Sequence, residues 1–385
     1  MNPSVSPDVV FVLPELKVGG AERVTLTFAN ALVDRGLETE ILLLGEPGAL
    51  AGEVKPKVRV TALHAPRFRH SLRPLCRHLA NTRPRSILAA MPPVTSLAVA
   101  ARALTGLPAR VVIAEHFDWS ARRGVPPDPT RLGFKLQMWM AYHGADARVA
   151  VSEGVARTAA RIARISPRKI EVVVNPVTPL APAAPPDPAI LDPWLARPGR
   201  KLIAVGVFKP AKDFPTLFRA VARVRETTPV SLLLLGDGAQ RAELEQLRAE
   251  LGLEDCVAMP GVVPNPRAYL ERADLFVLSS TGEGLPTVLI EALACGAPVV
   301  STDSPSGPRE ILEAGRYGVL APVSNPDALA AAMLESLGRE HDRAALVRRS
   351  LDFSVDKAVE KYLALLLPRQ FQPTAESATL AGAVR

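Results

Sequence analysis

From Leu275 to Leu320 the chain reads LFVLSSTGEGLPTVLIEALACGAPVVSTDSPSGPREILEAGRYGVL, and no other stretch restricts its folding so tightly. The apolar run Leu275–Leu278 predicts a buried strand that ends in the small polar pair Ser279-Ser280. A glycine loop follows, Thr281-Gly282-Glu283-Gly284-Leu285-Pro286-Thr287, and then a helix from Val288 to Cys295. Gly296 stops that helix and Pro298 forbids its continuation, so the chain enters a second strand at Val299-Val300. Strand, glycine loop and helix bring free backbone N–H groups and a positive dipole end to one place, which is how proteins hold phosphate. Two carboxylates flank this anion site: Glu283 in the loop and Glu291 in the helix. An acid beside phosphate repels it, unless the ligand also carries hydroxyls. A nucleotide-sugar has vicinal diols on both sides of its diphosphate, and a carboxylate accepts two strong hydrogen bonds from each. The plainer alternative is a pair of solvated acids on a helix face.

A chain of 385 residues is too long for one ordinary core, so two domains are expected. Strand and helix patterns alternate on both sides of Thr178–Gly199, whose seven prolines mark it as an interdomain linker. The three cysteines, Cys76, Cys256 and Cys295, are widely spaced, with no disulfide framework or zinc spacing. Met1 to Pro7 lacks a signal-peptide pattern, and Pro92-Pro93 interrupts the longest apolar run, so a soluble cytoplasmic protein is expected. The net charge of +7 is concentrated early: residues 1–190 hold 24 Lys/Arg and 15 Asp/Glu, a surplus of nine. An anionic partner, with contact at the inner face of the membrane as one option, would meet that half. Arg67, Arg69, Arg73, Arg77, Arg83 and Arg85 concentrate the charge, with Leu72, Leu75, Cys76 and Leu79 at helical spacing between them. Such a helix either lies on anionic lipid or turns its stripe to its own core. Nucleic acid is not expected, since no aromatic interleaving or known module accompanies the charge.

Other strand ends carry candidate groups. Strand Asp8–Leu13 leads to Gly19-Gly20 and a helix, a phosphate-friendly turn without the dinucleotide spacing. Strand Ala109–Ala114 delivers Glu115-His116-Phe117 at its carboxyl end, where open α/β sheets bind ligands. Strand Lys201–Val205 runs into Lys209 and Lys212, point charges for a diphosphate. Gly236-x-Gly238 invites a nicotinamide cofactor, but Arg241 stands where the third glycine belongs. No Asp-x-Asp occurs, which removes the usual metal-binding diphosphate motif, and no Ser-His-Asp or Cys-His set is apparent.

Glu283-GLPTVLI-Glu291, with Gly296-Ala297-Pro298-Val299-Val300 and Ser306-Gly307-Pro308-Arg309-Glu310-Ile311, resembles the donor-site signature of the retaining glycosyltransferases of family 4 (group 1). The loop Gly19-Gly20-Ala21-Glu22-Arg23 is similar to that family's first glycine loop, and Lys212-Asp213-Phe214 fits its second-domain pattern. Val207 departs from the pattern, standing where the family has an arginine for the diphosphate, and Lys209 is placed to compensate. The resemblance implies the GT-B fold: α/β, two doubly wound Rossmann-like domains facing across a cleft. Residues 1–178 would form the acceptor side, 179–199 the linker and 200–354 the nucleotide-sugar domain. Residues 355–370 would be a helix returning to the first domain, and 371–385 a disordered tail.

The implied activity is metal-independent, retaining transfer of a hexosyl or N-acetylhexosaminyl group from a donor, most simply UDP-linked, to a glycan or lipid-linked acceptor of cell-surface polysaccharide. The donor is a substrate, and no cofactor or metal is expected. His116 and Glu283 would be catalytic. Gly19, Gly20, Lys209, Lys212, Gly284, Leu285, Pro286, Thr287 and Glu291 would bind the donor, Glu291 through its ribose. A catalytically silent nucleotide-sugar-binding homologue and a GT-B epimerase are the alternatives.

Overall fold

Two all-parallel sheets organise the computed structural model, which describes residues 6–17, 19–65, 68–122, 128–177 and 185–368. The first contains β1 (Val9–Leu13), β2 (Thr39–Leu43), β3 (Arg59–Ala62), β4 (Ser86–Ala90), β5 (Arg110–Glu115), β6 (Ala147–Ala150) and β7 (Glu171–Val172). Its order is β3-β2-β1-β4-β5-β6-β7. All residues of β1, β2 and β4 are buried, as expected of parallel strands covered on both faces. Helix α1 (Gly20–Asp34) covers one face. Helices α2 (Leu72–Thr82), α3 (Val94–Thr105), α4 (Leu132–Gly144) and α5 (Glu153–Ala163) cover the other.

Helix α6 (Pro188–Ala196) leads into the second sheet, made of β8 (Arg200–Val205), β9 (Val230–Leu235), β10 (Val257–Gly261), β11 (Leu275–Leu278), β12 (Val299–Thr302) and β13 (Val319–Ala321). Its order is β10-β9-β8-β11-β12-β13. The interleaved helices are α7 (Phe214–Val224), α8 (Arg241–Glu250), α9 (Arg267–Leu270), α10 (Thr287–Ala294) and α11 (Pro308–Ile311). Then come α12 (Pro326–Leu337), α13 (Arg343–Ser350) and α14 (Val355–Leu366). Strand order reverses between β1 and β4 in one sheet and between β8 and β11 in the other. Ligands bind at such switch points, outside the carboxyl ends of the strands. The Gly19-Gly20 loop, the Lys209–Lys212 segment and the Glu283 loop all follow these strands.

Two features differ from the sequence reading, and helix α2 takes one of the two courses left open for it. The second half of the proline-rich stretch is a packed helix rather than linker alone. Pro188 occupies the first turn, where no N–H is required, Asp187 caps by accepting from Ala189 N at 2.9 Å, and Trp194 is 1% exposed. Residues 178–184 of that stretch, and the tail from 369, lie outside the described residues, as does Arg67. Strands β3 and β13 were not anticipated; each is short and sits at a sheet edge, where one-sided pairing asks little of the apolar pattern. Helix α2 turns Leu75 and Leu79 into the first domain's own core, with Leu72 and Cys76 packed beside them, so its apolar stripe does not face outward.

Helix α14 crosses back to the first sheet. Tyr362 packs on Phe28 of α1 with ring centroids 4.4 Å apart, and Ser86 and Arg110 donate to the carbonyls of Leu366 and Leu365 at 2.6 and 2.5 Å. An apolar cluster runs unbroken from Ile113 and Val151 of the first domain through Leu285 and Leu289 to Phe276 of the second. The three cysteines are free, and among the described residues no helix is long and apolar enough to cross a membrane.

Candidate functional site

Helices α1 and α10 face each other across a cavity of about 480 Å³. Gly20, Arg23 and Thr27 line it from the first domain, with Lys55 nearby, and Thr287 and Glu291 from the second. Both helices bring their N-terminal residues to it, Gly20 of α1 and Thr287 of α10. Gly19 caps α1 with extended backbone; a Cβ there would lie 2.3 Å from the Glu22 carboxylate, which would have to swing aside. Gly20 borders open space. No side chain caps α10 behind Pro286, which leaves its first N–H groups and positive dipole end for a ligand. Burial pushes the Glu291 carboxyl above its ordinary range, and the charges of Arg23 and Lys212 partly counter it.

Glu283 lies one step behind this cavity. Its Oε1 accepts from Lys212 Nζ at 2.7 Å and from Ser280 Oγ at 2.7 Å. Burial alone would raise its carboxyl, but the Lys212 charge and hydrogen bond, the Ser280 bond and the charge of Lys209 together hold it below the usual range. Glu283 is therefore an anion at neutral pH, and Lys212 is the cation common to both glutamates. An ammonium has three N–H donors, so the bond to Glu283 leaves two for other acceptors. Val207 is 51% exposed and brings no charge here, whereas Lys209 acts on Glu283.

His116 stands opposite, at the carboxyl end of β5. Its backbone N–H donates to Glu115 Oε1 at 3.1 Å. Burial drives the imidazole down to about 4, with only the Asn175 side chain favouring the cation, so the ring is neutral at pH 7. Its Nδ1 is shut off from solvent and lacks a well-formed hydrogen bond. Its carbonyl presses on the Glu283 loop, where a Cβ at Gly284 would lie 2.0 Å from that oxygen. Leu285 and Pro286 are buried behind the same contact.

Four polar contacts join the domains around it. Ser152 Oγ donates to the Gly284 carbonyl at 2.8 Å, and Ser306 Oγ donates to Asp118 at 2.5 Å. The Glu310 carboxylate accepts from the backbone N–H groups of Glu153 and Gly154 at 2.8 and 3.0 Å, sitting on the N-terminus of α5 from the other domain.

The sequence-predicted residues thus fall into two groups that share Lys212. Gly20, Thr287 and Glu291 surround the cavity; Glu283, Gly284, Lys212 and His116 meet where the domains touch. Arg23, Asn175 and Glu310 were not singled out as site residues. Arg23 and Glu310 close the Gly-Gly-Ala-Glu-Arg and Ser-Gly-Pro-Arg-Glu segments, so the signal was present, whereas only folding brings Asn175 to His116. Among the described residues no three His, Cys, Asp or Glu side chains gather as a metal ion would need.

Comparison with known proteins covers both halves. Residues 18–179 match the family model for Glycosyltransferase Family 4, and residues 199–339 match that for Glycosyl transferases group 1. A lipopolysaccharide core biosynthesis glycosyltransferase of Rhizobium meliloti is 30% identical over 91% of this chain and 96% of its own length. The 4-alpha-N-acetylgalactosaminyltransferase of Campylobacter jejuni that acts on a diphospho-undecaprenol-linked sugar is 32% identical over 51% of this chain and 52% of its own. The solved structure of Anabaena HepE in complex with UDP superposes with a TM-score of 0.76 at 20% identity, over 93% of this chain and 99% of that one. The fold is therefore the GT-B arrangement of two doubly wound domains.

Proposed function

The chain belongs to the family 4 glycosyltransferases, and from that premise we propose retaining transfer of a hexosyl or N-acetylhexosaminyl group from a UDP-linked donor. The acceptor is a glycan or a lipid-linked glycan of cell-surface polysaccharide or lipopolysaccharide. The relatives' own substrates support that class: lipopolysaccharide core in one and an undecaprenol-linked sugar in another.

One observation carries the reading. Two half-buried glutamates of opposite pKa direction share a single lysine beside an uncapped helix N-terminus. The diphosphate fits at that terminus, against the N–H groups of Thr287 and its neighbours, with Lys212 and Lys209 as counter-charges. Glu291, made more basic by burial, is suited to accept from the ribose diol. Glu283, kept ionised by Lys212, is suited to accept from the donor sugar's hydroxyls. A neutral His116 can exchange a hydrogen bond with that sugar, but supplies no positive charge. As the anomeric C–O bond breaks, the electron pair goes to the diphosphate. The acceptor oxygen bonds to the same face, and its proton passes to a departing phosphate oxygen. Lysines and main-chain dipoles supply the positive field for this, which supports metal independence.

A thermal-shift series with UDP and UDP-sugars tests the donor site. Glu291→Ala should abolish the shift given by the best ligand, and an undiminished shift refutes the ribose assignment. Val207 favours a second reading, nucleotide-sugar binding without turnover. Release of UDP on adding acceptor glycan rejects it, and nuclear magnetic resonance of the product's anomeric proton decides retention.

A further inference from the structure

We propose that α4, together with the basic face of α5, is a docking surface for an anionic lipid bilayer. Helix α4 reads LGFKLQMWMAYHG and is apolar nearly all round. A soluble helix of that kind is normally buried on every side. Here one side packs inward through Phe134, Met138, Ala141 and Tyr142. The other side leaves Leu132 81%, Leu136 53%, Trp139 46% and Met140 42% exposed. Leu104, at the end of the neighbouring α3, is 69% exposed. These five are a large share of the twelve exposed large apolar side chains among the described residues, and they lie on two adjoining helices. Clustering on that scale marks an interaction site, whereas scattered exposed residues need no explanation.

The surroundings identify the partner. Residues 131–169 carry eight Lys/Arg against two Asp/Glu. Arg157, Arg161 and Arg164 form an exposed stripe along α5 beside α4, and Arg131 and Lys135 are exposed on α4's own first turn. Among the described residues none of these five is ion-paired with a carboxylate. Lys135, Arg161 and Arg164 converge with Thr130 and Trp119 on a depression of about 370 Å³, room for a phosphate headgroup. An apolar face that enters the acyl boundary, a tryptophan at the edge and a basic rim for headgroups form the pattern of an interfacial helix. A second copy of the chain would set like charges against each other, so the bilayer is the occupant the charge favours.

The place is informative too. Rings of Phe117, Trp119 and Phe134 pack in series, at 5.2 and 4.8 Å, from the residue after His116 to α4. The surface therefore adjoins the first domain's side of the cleft, and not α2, whose apolar stripe is turned inward.

Trp139 provides the assay, because Trp119 and Trp194 are 5% and 1% exposed. The full chain, with no nucleotide or acceptor, is mixed with phosphatidylglycerol/phosphatidylethanolamine vesicles or with pure phosphatidylcholine vesicles. Co-sedimentation and a blue-shifted Trp139 emission are expected with the anionic vesicles only. Leu136→Glu with Met140→Glu should abolish both. Arg161→Gln with Arg164→Gln should weaken binding ~25-fold, about fivefold per charge. All four positions are exposed, so folding is preserved, which circular dichroism checks. Absence of wild-type binding, equal binding to phosphatidylcholine, or unchanged binding by both double variants overturns the assignment. So does a dimer, seen by light scattering, that the α4 variant dissolves. Because donor and acceptor are absent from the assay, its failure leaves the transferase reading untouched, and failure of UDP binding leaves this surface untouched.

Discussion

Replacing Glu115 by glutamine should make the protein more stable, and more so as pH rises. Glu115 is 2% exposed at the end of β5, and one of its oxygens accepts from the N–H groups of His116 and Phe117 at 3.1 and 3.3 Å. Burial pushes its carboxyl up to about 7 from the ordinary 4.5, hydrogen bonds relieve part of that, and Asp118 adds to the rise. The folded state therefore keeps a proton that the unfolded chain has released. The associated stability is whole below the unfolded value and falls as pH climbs from there to about 7. At pH 8 the ionised carboxylate costs roughly 3 kcal/mol, and at pH 5 under about 1 kcal/mol. Glutamine retains an acceptor oxygen for both N–H groups and carries no charge. Any cost of its unpaired NH₂ is the same at both pH values and cancels. Urea unfolding of both proteins at pH 5 and pH 8 should show the variant gaining about 2.5 kcal/mol on the wild type between the two. Parallel pH profiles would refute a protonated Glu115 beneath His116.

Two further substitutions probe the site's frame. Gly284→Ala places a methyl group 2.0 Å from the His116 carbonyl, so the domains cannot meet as they do. Turnover should fall about a hundredfold with little change in donor-induced thermal shift, and wild-type kcat/KM would show that this contact is not needed. Trp194→Ala empties a site that is 1% exposed and loses the Nε1 bond to the Ser231 carbonyl at 3.1 Å. A loss of about 3–5 kcal/mol in urea unfolding is expected, and a loss below about 1 kcal/mol would return α6 to the status of linker.

Much of the fold was legible because parallel strands buried on both faces read as unbroken apolar runs, and their ends are marked by glycine. The stretches Leu275–Leu278 and Thr287–Ala294 lie where the pattern put them, within a residue. So does Val355–Leu366. Edge strands β3 and β13 escaped notice because half-exposed strands of three or four residues carry no such run. Helix α6 was hidden by prolines that happen to fall where a helix tolerates them. Helix α4 was hidden for the opposite reason. A segment apolar on every side has no period to detect, and only neighbours that cover one side reveal that the other is bare.

The same division holds at the site. The order of residues alone determined where anion-holding loops and their glutamates occur, since main-chain amides at a strand-to-helix turn act locally. Tertiary structure decided their state: that Lys212 serves both glutamates, that burial leaves His116 neutral, and that Glu310 reaches the N-terminus of α5. Charge state depends on burial and on partners scores of residues away, and a linear sequence records neither until the chain has closed upon itself.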